Sequence, residues 1–150
     1  MNTESLKGDP LARTFRGMRI ASSALNAERV RIDTIAKNVA NARTTRMPTT
    51  GEPYRREMAS FRPILGDLTD GVQDFLGIRV DEIVSDDSPF EQVYDPSHPD
   101  ADESGVVLYP NVNTMKEMAD LVTAVRSYEA SLTVVDTTER MADRALRLAE

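Results

Sequence analysis

Apolar side chains recur every three or four residues in the first part of the chain, a spacing that places them on one helix face. Asp9 and Pro10 suit the N-cap and the first helical position. Gly17 weakens the early turns, so the firm helix is expected from about Arg19, and Glu28 interrupts the apolar stripe. The predicted helix-pairing seam contains Met18, Ala21, Leu25, Ile32, Ile35 and Val39.

The C-terminal part repeats this pattern. Thr114 with Glu117 fits a capping box, and Asn113 is a competing N-cap. The seam predicted on this second helix, which Glu139 interrupts, contains Met118, Leu121, Val125, Tyr128, Leu132, Val135 and Leu146. Both stripes are narrow, so each helix needs the other helix, or a helix of another molecule, to bury its apolar side chains.

Between the helices the pattern changes to short alternating segments. Turn residues predict a loop at 44–53, and three glycines among acids and amides predict another at 66–77. Strands are predicted within 54–64, 77–84, 89–94 and 106–109. The predicted fold class is therefore mainly α with a small β-rich insert.

The predicted organisation is one discontinuous assembly domain. A flexible N-terminal tail occupies residues 1–14, and the first coiled-coil helix occupies 15–43. The loop and strand insert occupies 44–110, and the second coiled-coil helix occupies 111–150.

Composition removes several classes of function. The chain has 150 residues, 40% of them hydrophobic, enough for one core, and it contains no cysteine for disulfides, thiolate metal sites or cysteine catalysis. Its net charge of −7 argues against general nucleic-acid binding. No run approaches the roughly 18 apolar residues of a membrane span. The N-terminal segment lacks the apolar stretch of a signal peptide, which predicts a cytoplasmic protein or one exported without cleavage.

Charge is unevenly distributed along the chain. Residues 1–64 carry a net charge of +6, residues 65–113 a net charge of −11, and residues 114–150 a net charge of −2. A basic end and an acidic middle suit head-to-tail contact between copies. A solvated surface with uneven charge is the alternative.

The loop around the single histidine contains residue types that could serve catalysis or metal binding. A triad around His98 lacks a nucleophile in suitable geometry, so a polar loop histidine is the preferred interpretation. Residues 100–105 match the first half of a calcium loop, but Asn111 stands where the bidentate glutamate belongs. We therefore assign no catalytic, metal-binding or cofactor-binding residue and expect no cofactor.

Residues 23–45 (SALNAERVRIDTIAKNVANARTT) resemble the N-terminal motif of the bacterial flagellar rod and hook proteins, in which an amphipathic helix ends in a similar asparagine-alanine pattern. Four further segments resemble the proximal rod branch of that family, namely residues 51–57, 94–105, 110–122 and 126–141. The resemblance covers about residues 15–150.

The resemblance implies a non-catalytic structural subunit of the proximal rod of the flagellar basal body. In that family the terminal helices pair as an antiparallel coiled coil. The subunits are exported uncleaved by the flagellar type III apparatus and polymerise helically in the periplasm into a rod that transmits torque from motor to hook. The implied partners are copies of the chain, other proximal and distal rod subunits, the rod-base adaptor and the export apparatus. No nucleic acid and no small-molecule substrate are implied.

Asn38 and Asn41 lie near one another on one helix face, away from the seam residues Val39 and Ala42. We expect their amides to bond to neighbouring subunits or to the following loop; alternatively, Asn41 helps to end the helix. Tyr54 beside Arg55 is typical of an interface anchor. The candidate subunit-interface residues are Asn38, Asn41, Pro53, Tyr54, Arg55, Asn111 and Glu129.

Two other functions stay open on the residues alone. A stand-alone coiled-coil adaptor would use the same seams and would form stable helical dimers in dilute solution. A calcium-dependent or hydrolytic enzyme would use the loop at 95–105, and calcium titration with His98→Ala as control would reveal it.

Overall fold

Two long helices, one before and one after a β-rich region, dominate the secondary structure. The computed structural model describes residues 10–69 and 72–148, with side chains for residues 15–66, 74–145 and 147. Residues 1–9 of the predicted tail lie outside this range. The elements, in chain order, are α1 (Pro10–Ala40), β1 (Glu57–Thr69), β2 (Val72–Ser85), β3 (Glu91–Tyr94), β4 (Val106–Tyr109) and α2 (Thr114–Leu148). The prediction of long terminal helices around a small β-rich insert is confirmed at this level.

The strands in the described part of the chain form two small sheets. β1 pairs with β2, and β3 pairs antiparallel with β4. The second register sets Glu91 opposite Tyr109 and Tyr94 opposite Val106. On β4, Val107 is fully buried and the next residue, Leu108, is exposed, because side chains alternate between the two faces of a strand.

The prediction of a loop at 66–77 is wrong. Residues 66–69 belong to β1 and residues 72–77 to β2, while residues 70–71 lie outside the described range. The described glycines of this segment do not mark a loop. A Cβ on Gly66 would lie 3.2 Å from Cδ1 of Leu76, so glycine here permits close packing of the two strands and does not interrupt them.

The chain forms two compact units, which are described separately. Of the described residues, the first contains those up to Arg29, those between Phe61 and Asp81, and those from Val125 onward. The second contains Val30–Ser60 and Glu82–Ala124. Within the described residues, neither long helix is sufficiently apolar over a sufficient length to cross a membrane.

In the first unit, α1 is joined to β2 through Ser23. The Ser23 hydroxyl donates to the backbone oxygen of Ile20 at 2.7 Å and accepts from the Ile78 N–H at 3.1 Å. Gly77 lies against Ser23 and has a φ of +142°, a conformation that favours glycine. A side chain at position 77 would collide with the serine that holds the strand to the helix.

Helix α2 carries two stripes on different faces. Its inner stripe is buried or half-buried and follows a heptad spacing through Glu117, Leu121, Ala124, Tyr128, Ser131, Val135, Thr138 and Ala142. Its outer stripe exposes large apolar side chains, namely Met115 (77% exposed), Met118 (51%), Val122 (53%), Val125 (37%) and Leu132 (48%). The described fold therefore leaves much apolar surface of α2 in contact with solvent.

Gly77→Ala is expected to lower the free energy of unfolding by about 2 kcal/mol, because both the positive φ and the contact with Ser23 oppose a Cβ. Gly17→Ala is the matched control. A Cβ at position 17 meets no atom within 4 Å, and alanine in a helix is more stable than glycine by about 0.5–1 kcal/mol. Urea unfolding followed by circular dichroism measures both variants, and equal stability would contradict the role of Gly77.

Candidate functional site

The side chain of Asn38, in the last turns of α1, is 1% exposed and makes four hydrogen bonds. Its Nδ2 donates to the backbone oxygen of Glu57 at 2.8 Å and to Oε2 of Glu117 at 2.9 Å. Its Oδ1 accepts from the Tyr54 hydroxyl and from the Glu57 N–H, each at 2.9 Å. An amide offers two donors and two acceptor positions, so groups of the same chain satisfy this side chain completely.

The second centre of the site is the carboxylate of Glu117, which is fully buried. Besides the bond from Asn38, its Oε1 accepts from Nε of Arg56 at 2.7 Å. The same guanidinium lies 3.4 Å from Oδ2 of Asp86. A buried carboxylate is costly unless it is paired and hydrogen-bonded, and Glu117 has both kinds of partner. We call Asn38, Tyr54, Arg56, Glu57 and Glu117 the polar junction.

Three parts of the second unit meet at the polar junction: the end of α1, the chain entering β1, and the start of α2. Asn111 braces this meeting from the segment just before α2. Its Oδ1 accepts from the backbone N–H of Arg56 at 2.8 Å, and its Nδ2 donates to the backbone oxygens of Asp86 and Ser88 at 2.9 and 3.2 Å. The ends of both long helices are thereby fixed to the β-rich region.

Burial and charge shift the ionisation of the groups around the junction. Burial, and then the negative charges of Glu57 and Glu117, raise the pKa of Tyr54 to about 12. Burial alone would lower the pKa of Arg56, but the hydrogen bonds and charges of Glu117 and Asp86 raise it. Hydrogen bonds from Ser88, and then from Arg56, lower the pKa of Asp86. A protonated tyrosine and a charged arginine are therefore the favoured states at neutral pH.

The start of α2 is capped by Asn113, whose Oδ1 accepts from the Lys116 N–H at 3.0 Å. The capping box predicted from Thr114 and Glu117 is wrong. The carboxylate that it requires is turned into the polar junction, where Asn38 and Arg56 bind it.

Asn41 lies just beyond the last residue of α1 and bonds locally. Its Nδ2 donates to the backbone oxygen of Lys37 at 2.9 Å, and its Oδ1 accepts from the Thr44 hydroxyl at 3.3 Å. The bond to Lys37 matches the helix-ending alternative, and the bond from Thr44 reaches the first residue of the predicted loop. A bond from Asn41 to a neighbouring subunit stays a prediction. Asn38, by contrast, binds residues that follow the loop and the first turn of α2.

The other candidate interface residues are divided between the junction and the surface. Tyr54 and Asn111 belong to the junction and its brace. Arg55 lies beside them, with its guanidinium 4.4 Å from the ring centre of Phe90. Pro53 is half-buried, and Glu129 is exposed on α2. A role for any of these residues between subunits stays a prediction.

The predicted seam residues differ in burial. Ala21 and Ile35 are buried, and the half-buried members are Met18, Leu25, Ile32, Val39, Leu121, Tyr128 and Val135. Met118, Val125 and Leu132 lie on the outer stripe of α2, and the side chain of Leu146 is outside the described range. The seam predicted on α2 thus includes residues of two faces, and their pairing role stays a prediction.

The loop containing His98 uses its polar groups internally. Nδ1 of His98 accepts from the Asp100 N–H at 3.1 Å, and the ring packs at a tilt 6.1 Å from that of Tyr109. Asp100 accepts from the Thr45 hydroxyl at 2.8 Å, and Oδ1 of Asp102 accepts from two backbone N–H groups. Within the described residues, no group of three or more histidine or acidic side chains is arranged to hold a metal ion.

Sequence reasoning missed Arg56, Glu57 and Glu117 as members of the site. Glu117 had a usable signal, because heptad spacing to Leu121, Ala124 and Tyr128 places it on the inner stripe. No sequence pattern distinguished Arg56, because the neighbouring Arg55 is the same residue type, and only the structure shows that Arg55 lies over Phe90 while Arg56 binds Glu117.

Comparison with known families identifies both ends of the chain. The family described as "Flagella basal body rod protein" matches residues 18–46. The family described as "Flagellar basal body rod FlgEFG protein C-terminal" matches residues 103–148. The first segment contains Asn38 and the second contains Glu117, so their hydrogen bond joins the two matched segments.

Whole-chain relatives agree with these matches. The flagellar basal-body rod protein FlgC of Bacillus subtilis is 42% identical over 147 residues, which cover 91% of this chain and 98% of that protein. The protein of the same name from Borreliella burgdorferi is 38% identical and covers 91% and 97% of the two chains. That from Salmonella typhimurium is 36% identical and covers 87% and 94%.

Asn38→Ala is expected to lower the free energy of unfolding by about 3 kcal/mol, because it leaves several buried groups without a hydrogen-bond partner. Asn41→Ala, three residues further on, loses only local bonds and is expected to cost about 1 kcal/mol or less. Denaturant unfolding of the two variants measures the difference. Equal losses would contradict a special role for the Asn38 amide.

Ultraviolet titration of the four tyrosines is expected to show one that ionises near pH 12, and Tyr54→Phe should remove that transition. The folded pKa of Tyr54 is higher than its ordinary value of 10.0. Its contribution to stability is therefore complete below about pH 10 and is lost as the pH rises towards 12. An unchanged titration curve in Tyr54→Phe would show that this hydroxyl is not the late group.

Proposed function

Because this chain belongs to the FlgC family of flagellar basal-body rod proteins, we propose that it is a structural subunit of the proximal rod, where copies polymerise helically and transmit torque from motor to hook. The observation that carries the proposal is similarity over nearly the full length of both proteins, including both terminal segments. The relatives are named as rod proteins, and the role of this chain is structural, not enzymatic.

We propose that α1 and α2 pair as an antiparallel coiled coil. One observation within each unit supports this pairing. In the second unit, Asn38 near the end of α1 binds Glu117 near the start of α2. In the first unit, Met18 and Ser22 of α1 line the same surface cavity as Val135 of α2. The end of α1 thus lies near the start of α2, and the start of α1 lies near the end of α2, which supports an antiparallel pairing of the two helices.

The outer stripe of α2 is the surface that we propose for contact with neighbouring copies. Met115, Met118 and Val122 each expose more than half of their surface. Exposed apolar side chains at helical spacing indicate a protein contact when they lie together. A heterologous contact that does not close generates a helical filament, which is the assembly that a rod requires.

The remaining parts of the proposal concern place and partners. The subunit would leave the cytoplasm uncleaved through the flagellar type III apparatus and occupy the periplasm-spanning rod. Its neighbours would be like copies, other proximal and distal rod subunits and the rod-base adaptor. The terminal segments 15–43 and 111–150 would form the packed layer, and residues 44–110 would form the insert.

A clean deletion of the gene in the source bacterium, followed by electron microscopy of isolated basal bodies, tests the proposal. The expected result is membrane rings without a completed rod, with rods restored by the intact gene. Normal rods and hooks in the deletion strain would contradict a rod role and would favour the coiled-coil adaptor.

Complementation of the same strain tests the outer stripe. Val122→Asp should fold but fail to restore rods, because it places a charge in an apolar contact. Thr123→Asp changes the adjacent exposed position outside the stripe and should restore them. Restoration by both variants would show that Val122 does not lie between subunits.

A further inference from the structure

Helix pairing through repeated apolar stripes leaves the register weakly specified. The inner stripe of α2 repeats Leu121, Tyr128 and Val135 at heptad spacing, and the seam of α1 repeats Ile32 and Val39. A slip by one heptad, about 10 Å along the helix, would again set apolar side chains against apolar side chains. Apolar packing alone therefore distinguishes the two registers poorly.

The polar junction does not survive such a slip. A shift of one heptad along α2 places Asn38 beside Ala124, whose side chain can accept no hydrogen bond. Glu117 would lose the amide and remain a buried carboxylate with fewer partners, which is strongly unfavourable. The native register is the one in which every amide position and both carboxylate oxygens have partners.

We propose that Asn38 and Glu117 are positioning residues that specify a single register of α1 against α2. The bond joins the two segments that carry the family similarity, so it sets the N-terminal motif against the C-terminal motif. A fixed register also sets the outer stripe of α2 at one height in every subunit. This last consequence rests on the proposed rod function; the register itself does not.

Distance measurement between two spin labels on the purified full-length chain tests the proposal. The chain has no cysteine, so Asp33→Cys and Thr123→Cys, both exposed and both in the second unit, supply unique labelling sites. The parent chain should give one narrow distance. Asn38→Leu/Glu117→Leu should keep its helical circular dichroism and gain a second distance, displaced by up to roughly 10 Å.

Thr34→Val is the matched control. Thr34 is a buried polar residue of α1, 5% exposed, but its hydroxyl bonds only within its own helix, to the backbone oxygen of Val30 at 2.8 Å. This variant should give the single parent distance. A residue that merely stabilises would lower the unfolding midpoint without adding a second distance, so the distance separates positioning from stability.

Glu117→Gln is the second variant, used if the double variant does not fold. Its amide nitrogen must face either Arg56 or Asn38, both of which are donors there, so a smaller second distance population is expected. One narrow distance in every folded variant would overturn the proposal. The distance measurement uses the purified chain and requires no rod. Normal rods in the deletion strain would therefore contradict the proposed function without affecting the test of the register.

Discussion

The fold of the second unit depends on the burial of one carboxylate. Glu117 is withdrawn from water, and an unpaired carboxylate in that position would be unfavourable by several kcal/mol. It is tolerated because Arg56 supplies an opposite charge and Asn38 supplies an amide donor. These partners come from separate parts of the chain, so the compensation exists only when α1, the entrance to β1 and α2 are all in place.

Helix α2 therefore has one face that is buried against its own chain and one face that is exposed. The inner stripe, beginning with Glu117, faces the same chain, and the outer stripe, beginning with Met115, stays apolar and exposed. A monomer gains nothing from a row of exposed methionine and valine side chains. A rod subunit gains a surface that other subunits can cover. The family membership and the two-faced helix therefore support one another, although they come from unrelated observations.

Carboxylates in the acidic middle of the chain are also paired within the chain. Several of its carboxylates are already used within the chain: Asp86 pairs with Arg56, Asp100 with Arg46, and Asp81 with Arg62. Asp102 accepts backbone hydrogen bonds, the first of them from Val106, which lower its pKa. The carboxylates of Asp100 and Asp102 therefore contact residues 45 and 46 and stabilise the turns of the loop.

Periodicity and local motifs, which depend on neighbouring residues, were sufficient to predict the two long helices, the short strands β3 and β4, and the family. Tertiary structure decided the rest. It placed residues 66–69 and 72–77 in strands, divided the predicted seam of α2 between two faces, and turned Glu117 from a predicted cap into a buried partner of Asn38. Those outcomes depend on which distant groups share a dry environment. Hydrogen-bond partners far apart in the chain leave no periodic signal in either segment.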